Sequence, residues 1–376
     1  MKTLSVLQIG LIASATQTSG SDRYYFSLLR ELAPLGVDVR GVVLGDPAAV
    51  EEPVPGVASF APEGSRMVRR WLGLRRTVRP LLRGRNLVVS HWAAHAFPVL
   101  DQIRSRPLVV HFHNPWSLEG KAAGIDARRL ALRWVQERAV YGSAARFIVL
   151  SRANREVLER TYGVPREKIR IVPGAADLRR FSATLSRREA RERLGWALDR
   201  PTILVAARLV PAKGVGNLIA AIAQVRRAYP DVRLVVVGDG PLAGELRDQV
   251  RSSGLEDAVQ FAGYLTDSLP LAYRAADLCV VPSVAFESFG LVAAEALACG
   301  TPVLVTPVLG LPEVVSDLEP ALVLEGSAPE QLAAGIRAAL GGTSPLPDDE
   351  ACARYAQRFA WPTIAQRVRD VYAEVA

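Results

Sequence analysis

The sequence predicts an α/β protein made of two Rossmann-like domains, each a parallel sheet flanked by helices. Three observations predict it. Short apolar β-like runs alternate with amphipathic helical runs, the order that gives doubly wound parallel sheets with right-handed crossovers. The series runs once through the first half and restarts near Ile203. The chain has 376 residues, enough for two domains of ordinary size.

The elements follow in order. Predicted strands of the first half are 4–9, 37–44, 87–90, 108–113, 147–150 and 169–172. Helical spacing covers 23–35, 68–82, 127–141 and 152–162. The second half predicts strands at 203–206, 232–237, 259–261, 278–281 and 303–305, with helices at 215–228, 242–252 and 290–299. The expected domains are 1–178 and 187–360, joined by a linker at 173–186. The last segment, 361–376, is a capped amphipathic helix whose apolar stripe is Val368, Val371, Tyr372 and Val375. Its spacing allows it to finish the second domain or to cross back to the first.

Composition narrows the class. Hydrophobic residues make up 49% and charged residues 22%, so the chain can bury large cores. The longest apolar stretch, Gly290 to Val315, contains Glu295 and is broken by Gly300-Thr301-Pro302, which excludes a membrane span. The start lacks a basic region followed by an apolar run, so no secretion signal is expected. Three cysteines, Cys279, Cys299 and Cys352, are odd in number and lie in apolar surroundings. They point to a reducing, cytoplasmic setting without a disulfide framework.

The net charge of +8 is uneven. Residues 1–185 hold 28 Lys+Arg against 15 Asp+Glu, and the remainder is mildly acidic. No nucleic-acid-binding motif accompanies the basic half, so nucleic acid is not an expected partner. An anionic membrane surface or a phosphorylated acceptor would explain the charge as well. Arginines crowd Arg66–Arg85, interleaved with Trp71, Leu72, Leu74, Leu81 and Leu82. This reads as a basic amphipathic helix able to lie on anionic lipid, peripherally on the inner membrane face. A domain-packing helix with a solvated arginine face would look the same.

The most informative stretch is Phe286-Glu287-Ser288-Phe289-Gly290-Leu291-Val292-Ala293-Ala294-Glu295. Glu287 follows the strand at 278–281, at the carboxyl edge where open α/β sheets bind ligands. Glu295 lies in an Ala-rich helix that is apolar nearly all round, so its carboxylate needs a partner or a cavity. The amides of Phe289, Gly290 and Leu291 would be donors at a helix N-terminus. Amides for a phosphate and carboxylates for hydroxyls suit a sugar nucleotide. Solvated surface carboxylates at this spacing are the competing reading.

Arg208-Leu209-Val210-Pro211-Ala212-Lys213-Gly214 follows the first strand of the second half. Its two cations would meet a diphosphate leaving group, although an ordinary strand–helix loop would look alike. The chain has 42 Arg and four Lys, so a lysine here hints at a compact point charge. Gly238-Asp239-Gly240 after the strand at 232–237 permits close ligand approach. Neither the dinucleotide fingerprint nor a P-loop is present, which counts against an NAD enzyme or a P-loop kinase. All four histidines, His91, His95, His111 and His113, fall in one window; His91 and His113 each end a strand. A zinc site there would lack a Cys or carboxylate at ligand spacing. No Asp-x-Asp occurs to hold a metal on a sugar nucleotide, and no cofactor is expected.

Together these residues resemble the retaining glycosyltransferases of family 4, which have the GT-B architecture of two Rossmann-like domains facing across a cleft. The resemblance covers nearly the whole chain. It is carried by Glu287-x7-Glu295 with Phe289-Gly290 inside it, by the following Ala298-Cys299-Gly300-Thr301-Pro302-Val303, by Arg208 and Lys213, and by Pro173-Gly174-Ala175-Ala176-Asp177. It implies a metal-independent hexosyltransferase moving a hexose from a UDP- or GDP-sugar to a saccharide or lipid-linked acceptor, with retention. Surface polysaccharide, glycolipid or glycoside synthesis is the implied setting. The implied donor set is Arg208, Lys213, Gly238, Leu265, Glu287, Ser288, Phe289, Gly290, Leu291 and Glu295, with Glu295 on the ribose and Glu287 on the donor sugar. Ser19, Gly20, His91 and Asn114 would face the acceptor, and His113 the C6 side of the sugar. His113 and Glu287 are the implied catalytic residues. The helix at 361–376 would cross back to the first domain. The chain departs from the family pattern at Ser19-Gly20, Ala207 and Gly174, none of which touches the two glutamates. A sugar-nucleotide epimerase of the same fold, or a non-catalytic nucleotide-sugar-binding protein, is the alternative.

Overall fold

The structure is a computed structural model that describes residues 4–13, 20–50, 52–122 and 124–376. The chain divides into two compact units, one of Met1–Gly174 with Trp361–Ala376 and one of Ala175–Ala360.

The first unit runs β1 (Ser5–Ala13), α1 (Gly20–Leu32), β2 (Asp38–Gly45), β3 (Val57–Ala61), α2 (Met67–Leu81), β4 (Leu87–Ser90), α3 (Ala93–Ala96), α4 (Leu100–Ile103), β5 (Leu108–Phe112), α5 (Trp116–Ala122), α6 (Ala127–Gly142), β6 (Arg146–Val149), α7 (Arg152–Tyr162) and β7 (Ile169–Ile171). Its seven strands are ordered β3-β2-β1-β4-β5-β6-β7, and all pair in parallel. Val- and Ile-rich strands suit a sheet covered on both faces. Leu74 and Val78 of α2 pack with Leu7, Val88 and Val110 on one side. Tyr25, Phe26 and Leu29 of α1 pack with Val43 on the other.

The second unit runs α8 (Arg187–Leu194), β8 (Thr202–Ala206), α9 (Val215–Val225), β9 (Arg233–Val237), α10 (Ala243–Ser252), β10 (Val259–Gly263), α11 (Leu269–Ala275), β11 (Leu278–Val281), α12 (Leu291–Ala298), β12 (Val303–Val305), α13 (Pro329–Leu340) and α14 (Asp349–Ala356). Its strands are ordered β10-β9-β8-β11-β12, again all parallel. In each sheet the order reverses once, between β1 and β4 and between β8 and β11. Such switch points leave a crevice at the carboxyl ends of the strands.

The final helix, α15 (Trp361–Ala373), packs with the first unit. Ile364, Val368, Val371 and Tyr372 are buried along one stripe, whereas Val375 lies beyond the helix and is half-buried. Tyr372 Oη lies 2.7 Å from His111 Nε2. Just past the helix, Glu374 accepts from Arg146 at 3.0 Å and Arg170 at 2.8 Å.

The division differs from the expected boundary at 178. Residues 175–178 belong to the second unit because Ala176 bridges Ala360 and Arg180, four residues on, donates to Thr266 O at 2.8 Å. The predicted elements lack β3, a five-residue edge strand with Ser59 exposed, and α8, Arg-Arg-Glu-Ala-Arg-Glu-Arg-Leu, which carries almost no apolar period. They also lack the helices α3, α4, α5, α11, α13 and α14. α12 begins at Leu291, since Gly290 takes φ 92° and caps the helix from outside.

Candidate active site

At the switch point of the second sheet, β8 runs into the loop 207–214 and β11 runs into the loop 282–290. These loops are laced together. Val284 N donates to Ala212 O at 2.9 Å. Gly214 has φ 65°, and a Cβ there would sit 2.0 Å from Pro282 O, so only glycine allows the approach. Lys213 Nζ donates to Glu287 Oε2 at 2.5 Å, and Ser283 Oγ donates to the same oxygen at 2.9 Å. Both side chains keep partial access to solvent, 26% for Lys213 and 15% for Glu287. An ammonium has three donors and this contact uses one, so Lys213 retains capacity for a ligand oxygen.

The residue before Glu287 was not foreseen as special. Phe286 has φ 51°, a left-handed conformation that a side chain adopts at a cost of roughly 1–2 kcal/mol. Gly310 N donates to Glu287 O at 3.0 Å, which holds the strained turn from the far side. Ser288 and Phe289 are buried, and the Phe289 ring stands edge-on to Phe359 at 5.2 Å. A Cβ at Gly290 would lie 2.3 Å from Leu311 Cδ1. The N–H groups of Leu291 and Val292 then open α12, where helix geometry leaves them without intrahelical acceptors. They and the helix dipole favour an anion.

Glu295 is 4% exposed on α12, and Tyr273 Oη of α11 donates to its Oε2 at 3.1 Å. The buried carboxylate thus has the partner its surroundings demand. Tyr273 carried no sequence signal, being one tyrosine in a short helix. Arg208 is exposed on the loop after β8. Gly238 takes φ 128°, its N–H donates to Gly263 O at 2.7 Å, and a Cβ there would meet Ala207 O at 1.9 Å. Its glycine is required by this backbone crossing. Leu265 is half-buried on the loop after β10. The free thiols of Cys279, Cys299 and Cys352 are all buried.

In the first unit the histidines converge. His91 follows β4, His111 lies on β5 and His113 follows it. The three rings stack at centroid distances of 4.4 to 6.2 Å. His91 Nε2 lies 2.6 Å from Gln8 Oε1, and His91 Nδ1 lies 3.1 Å from His113 Nε2. His95 Nδ1 lies 2.7 Å from Gly10 O. His113 and Asn114 are half-buried at the carboxyl edge, and Gly20 is the first residue of α1. Ser19 lies outside the described residues. The expected acceptor contact of His91 is corrected: the ring is 2% exposed and both nitrogens are engaged within the protein, so it reaches a ligand only through His113.

Burial pushes all four imidazoles below their ordinary range, and neighbouring histidines depress His91 and His111 further. His95 and His113 are lowered from 6.5 to about 4. The unfolded chain therefore takes up these protons first on acidification. The stability due to neutral rings is fully present above about pH 6.5 and is lost as pH falls toward 4. Urea titration of the first unit is expected to show a falling midpoint between about pH 6.5 and 5, above the carboxylate range. A midpoint flat across that window would contradict the burial of neutral histidines.

The chain matches the family model described as Glycosyl transferases group 1 over residues 186–359, and that described as Glycosyltransferase Family 4 over residues 18–180. It is 33% identical over 367 residues to a D-inositol 3-phosphate glycosyltransferase of Actinosynnema mirum, covering 92% of this chain and 84% of that one. It is 34% identical over 303 residues to the protein of the same name from Streptomyces bingchenggensis, covering 77% of this chain. The chain spans 66% of that relative, 66% of the Kineococcus radiotolerans one and 54% of the Segniliparus rotundus one. Among solved structures it is similar to sucrose-phosphate synthase from Thermosynechococcus elongatus, with TM-score 0.81, 24% identity and coverage of 99% and 98%. It is also similar to Anabaena Alr3699/HepE in complex with UDP and glucose, with TM-score 0.80, 23% identity and coverage of 99% and 100%. At these identities the likeness is one of fold. With the two family matches spanning most of the sequence and a relative 33% identical over 92% of it, the chain belongs to the group 1 glycosyl transferases of family 4, in the GT-B fold.

Proposed function

We propose that this protein transfers a hexose from a nucleotide-sugar donor to a saccharide or lipid-linked acceptor, with retention and without a metal. The observation that carries the reading is the Lys213–Glu287 pair beside the N-terminus of α12, with Glu295 fixed on the same helix. The Anabaena Alr3699/HepE structure holds UDP and glucose, which supports a ligand of this chemistry.

The residues divide the work by charge. Lys213, Arg208 and the amides of Leu291 and Val292 neutralise the diphosphate as it leaves. Side-chain cations supply the charge that a metal otherwise would, in keeping with the absence of Asp-x-Asp from the sequence. Glu295 grips the ribose hydroxyls, and Glu287 accepts from hydroxyls of the sugar. Glu287 accepts from Lys213 and Glu295 from the Tyr273 hydroxyl, so both serve here as acceptors that grip hydroxyls and not as a glycosidase acid and nucleophile pair. The departing phosphate takes the proton of the acceptor hydroxyl, and attack comes from the face it leaves. A phosphorylated polyol fits the names of the relatives and the basic charge of residues 1–185.

The test is a panel of UDP- and GDP-sugars with chelator, with and without acceptors that include inositol phosphate, read by mass spectrometry. The expected result is nucleotide release with a new glycoside. Lys213→Ala is expected to lose about 10²–10³-fold in kcat while remaining folded. No release from any donor would defeat the reading. A changed sugar without acceptor would favour an epimerase, and tight binding without turnover a binding protein.

The acceptor side extends to lipid. Met67, Val68 and Leu72 of α2 are 55%, 69% and 50% exposed, and Val68 and Leu72 line an open groove with Arg66, Arg69 and Arg76. Arg75 and Arg85 are bound inside the unit by Asp101 and Asp38. No helix among the described residues is long and apolar enough to cross a membrane. We therefore propose peripheral binding of anionic bilayers through α2. Co-sedimentation with phosphatidylglycerol vesicles is expected, falling with added salt and abolished by Arg66→Glu with Arg69→Glu. Equal sedimentation with neutral vesicles, or none, would contradict it.

A further inference from the structure

We infer that Gln8 is a positioning residue: acting through His91, it fixes His113 in the tautomer that carries hydrogen on Nε2 and presents Nδ1 as an acceptor. The catalytic consequence rests on the function proposed above; the tautomer itself does not.

The inference follows from the polarity of a three-residue chain. Gln8 lies inside β1 between Leu7 and Ile9, fully buried. Its Nε2 has no hydrogen-bond partner among the described residues, a costly arrangement that an apolar side chain in this strand would avoid. What the amide does have is its oxygen, 2.6 Å from His91 Nε2. A carbonyl oxygen only accepts, so His91 carries its hydrogen on Nε2. His91 is buried against His111 and His113, surroundings that keep the ring neutral. A neutral ring with hydrogen on Nε2 has a lone pair on Nδ1. That lone pair lies 3.1 Å from His113 Nε2, which must therefore donate. His113 is left with Nδ1 as its acceptor, at the carboxyl end of β5. The rings cannot easily turn out of this order: His111 stacks on His91 at 4.4 Å and Tyr25 stands edge-on to it at 5.0 Å. A neutral His113 held in one tautomer keeps a single, fixed polarity at this edge of the sheet.

The chain has only four histidines, so their ring nitrogens can be read individually. Full-length protein labelled with 15N-histidine is observed by two-bond 1H–15N correlation at neutral pH, assigned by single substitutions of each histidine. The native protein is expected to show His91 and His113 both with hydrogen on Nε2. Gln8→Leu is expected to convert both to tautomer mixtures. Its kcat should fall about tenfold with donor KM within about twofold, the signature of lost orientation at a bound substrate. Gln8→Glu, which keeps an acceptor, should hold the His113 tautomer and recover turnover relative to Gln8→Leu. His113 with hydrogen on Nδ1 in the native protein would overturn the inference, even if Gln8→Leu failed to fold. So would unchanged tautomers in a folded Gln8→Leu variant. The spectrum needs no substrate, so its outcome is separable from failure of the transferase reading.

Discussion

The contact between Lys213 and Glu287 is the constraint on which the second unit's site depends. It joins the loop after β8 to the loop after β11 across the point where the strand order reverses. Everything adjacent serves that junction. Gly214 lets the two backbones approach, Ser283 shares the carboxylate, and Phe286 accepts a strained conformation to turn Glu287 inward. Without a cation on this oxygen, a largely buried carboxylate would face a desolvation penalty that the loop could not repay. With it, the pair is satisfied yet retains donors and acceptors for a ligand. The neighbouring Glu295 solves the same problem differently, by a buried tyrosine hydroxyl in place of a charge.

The first unit meets the problem of buried polarity with neutral groups. Its three stacked histidines lie among Gln8, Tyr24, Tyr25 and Tyr372, and burial keeps them uncharged. The final helix matters here because it supplies Tyr372 to His111 and Trp361 against Tyr24. The helix that follows the second unit in sequence is thus a structural part of the first.

Much of this was legible in the sequence, for physical reasons. The runs Leu278–Val281 and Val303–Val305 are apolar on both faces, and a parallel strand covered by helices needs that, so their ends were found closely. Alternation puts Lys213 and Glu287 on loops that follow strands of one sheet, and Glu295 on the helix after the second loop. What escaped was what periodicity does not encode. Lys213 and Glu287 were assigned separate tasks, because 74 residues separate them and only the β8–β11 pairing brings them together. Tyr273 and Gln8 were invisible for the same reason: a single polar residue in an apolar element announces a partner without naming it. Ending a strand points His91 toward a ligand, but His113 takes the solvent-facing position and His91 is buried behind it. α8 escaped because its helix is specified by a Ser186–Glu189 capping box and arginine contacts, with almost no apolar stripe.

The most direct test is a crystal structure of the protein soaked with UDP or GDP. Density is predicted with the ribose hydroxyls within hydrogen-bond distance of Glu295, and with the diphosphate between Lys213, Arg208 and the amides of Leu291 and Val292. A nucleotide bound elsewhere, with the Lys213–Glu287 contact undisturbed and remote from any phosphate, would contradict the assignment of this junction as the donor site.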